Sequence, residues 1–166
     1  MSQQPRLFTD FAPALQLCLE EEFIGDALFD TLAGFHDGKA RQALQLMAQI
    51  ERAVIAVMQP AIARHGLTLA NPEDLRAEGR TEAVAMRAMS WAEFLTHIDK
   101  DYPAFLDEFQ QLFRLAPQSD KADAQLLLDH EVALMDFAAA ERNGDPGSFG
   151  ILTAFLRRLS EVSQHP

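Results

Sequence analysis

The chain has 166 residues, 14 Lys and Arg against 25 Asp and Glu, a formal net charge of −11 and one cysteine. That length predicts one domain over residues 1–166 with a real core. The acidic balance, with Arg52, Arg64, Arg76, Arg80 and Arg87 scattered along the chain, argues against a phosphate-tracking nucleic-acid surface and against a membrane-surface role. Cys18 stands alone, which excludes an internal disulfide and any CxxC site. Met1 to Phe11 lacks a basic region followed by an apolar run, and no window approaches the roughly 18 uncharged apolar residues of a membrane span, so a cytoplasmic protein is expected.

Helical periodicity between clusters of glycine and proline predicts an all-α chain. The first helix is expected from Ala12 to Phe35, with Leu15, Cys18, Phe29, Leu32 and Ala33 on the core stripe and Glu20, Ala27 and Thr31 opposite. The second should run from Lys39 to His65, with Ala43, Leu44, Met47, Ile50, Val54, Met58 and Ile62 inward and a disturbance at Pro60. Gly66 to Arg80 reads as a connection of fifteen residues, compared with a usual median of roughly five, as a crossover along a bundle would need.

Thr81 to Met89 is helical in character. Ser90-Trp91-Ala92-Glu93 has the form of a capping box. Pro103 then predicts a second break before the apolar face of Phe105, Phe109, Leu112 and Phe113, so the third bundle helix is expected to be broken. The fourth runs from Asp120 to Arg142. Ser148 caps a fifth, with Ile151, Leu152, Phe155, Leu159 and Val162 on one side. That stripe predicts burial on the chain's own bundle or on a second copy, and a homodimer is the expected assembly.

Residues 45–55 and 125–135 agree at four of eleven positions, as two similar helical hairpins would. The chemically informative feature is a set of carboxylates on core faces. Glu22 falls between Cys18 and Phe29, Glu51 among Met47, Ile55 and Met58, and Glu131 among Leu127, Leu134 and Met135. A buried carboxylate costs several kcal/mol unless it is paired, protonated or bound to a metal. His130, at the border of the fourth helix's stripe, and Glu141, farther along nearly the same side, are the further candidate ligands. His97 reads as solvated, His36 and His65 as helix C-terminal residues, His165 as a tail, and Cys18 as a small core residue.

Glu21-Glu22-Phe23-Ile24-Gly25 with Phe29 and Leu32-Ala33, followed by Ala43-Leu44, Met47-Ala48 and Ile50-Glu51, resembles the first helical hairpin of the ferritin-like superfamily, in particular its rubrerythrin-type branch. The resemblance implies an up-down four-helix bundle with a long crossover, a broken third helix and an added C-terminal helix. It also implies a di-iron or di-manganese centre held by a helix-one Glu and two ExxH motifs. Residue by residue, Glu22 matches the helix-one Glu, Glu51 the Glu of the first ExxH and Glu131 that of the second. The histidine positions of those motifs hold Val54 and Leu134, and the third helix offers no clean match, since Glu82 sits near Ala85, Met86 and Met89 while Glu93 points away from the stripe of Trp91, Leu95, Ile98 and Tyr102.

Two functions are therefore expected. One is a catalytically silent bundle acting as a binding or structural protein, favoured because both motif histidines are apolar. The other is a divergent iron or manganese bundle with redox or oxygen chemistry, built on Glu22, Glu51 and Glu131 with His130 or Glu141.

Overall fold

The computed structural model describes residues 5–164, so His165 lies outside the described residues. Among the described residues 82% are helical and none is in a strand. Seven α-helices follow in order: α1 (Phe11–Ala33), α2 (Gly38–Val57), α3 (Gln59–His65), α4 (Pro72–Met86), α5 (Trp91–Leu115), α6 (Lys121–Arg142) and α7 (Ser148–Gln164). A single 3₁₀ turn, Gln118–Asp120, precedes α6. α1 packs on α2 and α5 on α6, while α7 lies against both α2 and α6. The main apolar core runs through these helices, with Leu15, Leu44, Met47, Phe94, Phe109, Phe137 and Leu159 among its buried members, and Phe23, Ile55 and Leu75 form a smaller separate cluster.

The predicted second helix is two helices. α2 stops at Val57 and α3 begins at Gln59, the pair bending by 41° with Pro60 in the first turn of α3. Proline fits there because the first turn needs no internal N–H bond. Gly66 ends α3 with φ 58°, a left-handed conformation that glycine adopts at little cost.

The predicted fifteen-residue connection is absent, because most of it is α4. The Asn71 side chain accepts a hydrogen bond from the Glu73 N–H, Pro72 opens the helix and Glu73 and Asp74 fill its first turn. These are start signals. They are easily read as loop because α4 buries only the narrow stripe Leu75, Gly79 and Ala83. α4 packs along α1, and a Cβ on Gly79 would lie 2.1 Å from the Ile24 carbonyl oxygen. Ala27, expected on the outer face of α1, is buried, and so is Asp26, which pairs with Arg52 of α2 at 2.6 Å and Arg76 of α4 at 3.4 Å.

Of the two breaks expected in the third bundle helix, the one at Ser90 forms and the one at Pro103 does not. The first falls at Arg87–Ser90, where the Ser90–Glu93 capping box forms as expected, and α5 then continues through Pro103 without interruption. Glu108, on the apolar face of α5, is buried because the segment before α1 docks there. The Arg6 backbone N–H and guanidinium both donate to its carboxylate. On α7, Leu152, Phe155 and Leu159 are buried and the helix packs on α2 and α6, so the stripe that predicts a second copy is largely covered within the chain.

A buried carboxylate and histidine cluster as candidate metal centre

Glu22 of α1, Glu51 of α2 and His130 of α6 meet inside the helical core, each 3% exposed or less. His130 Nδ1 lies 3.2 Å from Glu22 Oε2 and its Nε2 lies 3.3 Å from Glu51 Oε1. Glu131, the next residue on α6, brings Oε1 to 3.8 Å from His130 Nδ1. Each helix delivers its group because that residue lies at a core position of the 3.6-residue repeat, as Leu15, Leu44 and Leu127 do on the same helices.

The contacts are close but poorly aligned. Both ring nitrogens of His130 and both carboxylate oxygens of Glu22 are buried without a hydrogen-bond partner. Groups of this kind are normally satisfied, and a charged one left without a partner costs about 1–3 kcal/mol or more. Glu22, Glu51 and His130 each offer a ligand atom within 4.8 Å of the others, a spacing that one cation would close.

Burial pushes the Glu51 carboxyl well above its usual range, with His130 opposing and Glu22 adding to the rise. Glu131 is pushed up to about 7, again chiefly by burial, with His130 opposing and Glu22 adding. For His130, burial favours the neutral ring, yet the facing Glu22 and Glu51 carboxylates reverse this and hold it well above the usual imidazole value. Without a cation the cluster therefore retains protons.

Beside the cluster is a cavity with room of about 60 Å3, lined by Glu21, Glu22, Glu51 and Glu131 and by Tyr102 and Phe105. Burial and the nearby Glu131 and Glu51 hold the Tyr102 phenol well above its ordinary value, so it is protonated at neutral pH. Gly25 also lines the cavity, and its missing side chain leaves space for the Glu51 carboxylate. An isolated glycine three residues beyond an inward glutamate was a usable sequence signal for such a contact. Tyr102 gave none, since its position matched the apolar stripe of Trp91, Leu95 and Ile98.

The other predicted ligands separate. Glu141 does not join the cluster: its side chain is 5% exposed and is taken up by Lys39 at 2.5 Å, by the Ser148 hydroxyl and by Trp91 Nε1 at 3.4 Å. Burial opposes its ionisation, but these donors overcome that and hold the carboxyl below its usual range. Of the two glutamates weighed for the third helix, neither a clean match in sequence, Glu82 borders the cavity and Glu93 is spent in the capping box. His97 is not freely solvated but pairs with Asp101 at 2.6 Å, and His65 pairs with the buried Asp120 at 2.7 Å. Cys18 is buried, and burial followed by the Glu22 charge raises its thiol well above the usual value, which leaves it an inert core residue.

Compared with protein-family models, with curated proteins and with solved structures, the chain gives no match.

Proposed function

We propose that the protein is a ferritin-like helical bundle that binds a divalent transition-metal cation at Glu22, Glu51 and His130, with Glu131 adjacent. The observation that carries this reading is His130, whose two buried ring nitrogens lack hydrogen-bond partners while lying against two buried carboxylates. Two carboxylates and an imidazole form a mixed oxygen and nitrogen donor set that suits iron or manganese. The pairing of α1 with α2 and of α5 with α6 supports the two-hairpin bundle, and Glu51 and Glu131 occupy matching places in the repeated segments.

A single imidazole, with Val54 and Leu134 at the motif positions, favours one firmly held ion over a symmetric pair. Bound there, iron or manganese would supply redox or oxygen chemistry. The chain's own contribution is to present ionised Glu22 and Glu51 and a neutral imidazole in a site shielded by Leu28, Phe29 and Leu134.

A second reading, a metal-free bundle with a binding or structural role, is favoured by the same shifted protonation. A protonated Glu51 and a charged His130 beside Glu22 reduce the charge mismatch of the cluster without an ion. Elemental analysis of protein purified after growth with added iron and manganese separates the two. The metal reading expects near-stoichiometric metal in the wild type, lost in His130→Ala and Glu22→Gln. Metal-free wild type that also fails to take up iron(II) or manganese(II) in vitro supports the silent bundle.

A further inference from the structure

The cavity beside the cluster shares walls with a second, larger pocket. Leu28, Glu82, Tyr102 and Phe105 line both, and the larger pocket, with room of about 420 Å3, adds Met86, His97 and Asp101. Its charged and titratable lining consists of Glu82, His97, Asp101 and the Tyr102 phenol, with no Lys or Arg. By contrast, the groove between α6 and α7 carries Arg158, and the groove bordered by α2, α3, α6 and α7 carries Arg64. Glu82 is exposed on α4 and also lines the cavity that Glu22 and Glu51 line. Glu22, whose two buried oxygens are unpartnered, lines the smaller cavity.

We propose that the larger pocket between α4 and α5 is the entry route for divalent cations, with Glu82 as the carboxylate that takes the ion from solvent and passes it along the shared wall of Tyr102 and Phe105 to Glu22 and Glu51. This rests on the metal-binding reading. A hydrated divalent cation loses much of its solvation on entering a buried site, and a negative, cation-free mouth raises its local concentration before that loss. Partly exposed carboxylates at the threshold replace water ligands one at a time. Tyr102 and Phe105, with ring centroids 5.5 Å apart, form a wall common to both spaces, and Glu82 supplies the negative charge common to both. Asp101 is engaged by His97 at 2.6 Å, which leaves Glu82 as the carboxylate available to carry the ion.

The test uses the full chain, depleted of metal by a chelator and dialysed. Cobalt(II) is the probe, followed by its visible absorbance after rapid mixing, with bound cobalt at equilibrium measured by elemental analysis. Glu82→Gln is expected to slow loading severalfold and Glu82→Lys by roughly tenfold or more, in the range that charge steering spans, with the final cobalt content unchanged in both. Asp136→Asn removes one negative charge from the groove between α6 and α7, which shares no wall with the cavity, and is expected to load at the wild-type rate. Raised salt should reduce the difference between wild type and Glu82→Lys.

Wild type that binds cobalt while both Glu82 variants load at its rate overturns the entry route and leaves the metal site standing. Loss of bound cobalt at equilibrium in Glu82→Gln also overturns it, because Glu82 is then a ligand. Wild type that binds no cobalt at equilibrium, even after refolding in its presence, overturns the metal reading and the route together.

Discussion

Gly25 of α1 faces the carboxylate of Glu51 on α2: a Cβ built on the glycine would lie 3.1 Å from Glu51 Cδ and 3.2 and 3.3 Å from its two oxygens. Those distances are too short for comfort and too long for a severe clash, so the carboxylate would shift by a few tenths of an ångström. Gly25→Ala is therefore expected to displace Glu51 from His130 and lower metal content. Global stability should change by no more than about 1 kcal/mol, since alanine is the better helix former by a similar amount. Elemental analysis beside urea melts checks both parts. Full metal content in Gly25→Ala would show that the position of Glu51 is not critical.

Gly79 of α4 gives the opposite balance. Its Cβ would meet main chain, the Ile24 carbonyl oxygen at 2.1 Å and the Leu28 nitrogen at 3.0 Å, and neither can rotate away. Gly79→Ala should push α4 off α1 and destabilise the protein by about 1–3 kcal/mol or more despite the gain in helix propensity. The midpoint of urea denaturation measures it.

The periodicity of α1, α2, α6 and α7 was legible because each buries a broad stripe in which leucine and alanine recur every three or four residues. α4 was not legible as a whole helix. Its stripe of Leu75, Gly79 and Ala83 is one residue wide, and its glycine, which reads as a breaker in isolation, is the condition for its close packing on α1. Pro103 misled in the other direction. A proline removes one hydrogen bond, but the burial of Ile98 on one side of it and Phe109 and Leu112 on the other keeps α5 continuous.

Within the cluster, the inward positions of Glu22, Glu51 and Glu131 followed from helix angle alone. The partnership with His130 did not, because it depends on how α6 meets α1 and α2. Glu141 shows the limit of the same reasoning: its face is inward, but Lys39 and Ser148, distant in the chain, claim its carboxylate.

Glu141→Gln tests that separation. The Gln side chain keeps an acceptor but loses the charge that holds Lys39, Ser148 and Trp91, a group that ties α6 to the starts of α2, α5 and α7. A loss of about 1–3 kcal/mol is expected from hydrogen bonds to a charged, buried group, with metal content unchanged. Reduced metal content at unchanged stability would return Glu141 to the site.

In metal-depleted protein the folded values of Glu51, Glu131 and His130 are all raised. A raised folded value means that the native state keeps its proton longer than the unfolded chain does. The stability it contributes is fully present below the unfolded value and is lost as pH rises through the folded one. For Glu131 that loss spans from 4.5 to about 7. For Glu51 it begins at the same unfolded value, and for His130 at 6.5.

Asp120 behaves in reverse. Burial opposes its ionisation, but Ser119, His65 and Arg64 hold it well below its usual value, so its contribution is present above 3.8 and lost as pH falls through the folded value. Chelator-treated wild type should therefore melt at lower temperature as pH is raised from about 5 to about 8. Glu51→Gln removes one of the three groups, so it should melt higher than chelator-treated wild type near pH 7, by a margin that narrows towards pH 4.5.

With iron(II) or manganese(II) the order should invert. Ligation requires ionised carboxylates, so the metal stabilises wild type most where the metal-free protein is weakest, and Glu51→Gln loses that gain. Melts of both proteins with and without metal at three pH values decide it. A metal-free wild type whose melting temperature rises steadily over that range would contradict the buried protonated cluster, and a Glu51→Gln protein identical to wild type in every condition would remove Glu51 from it.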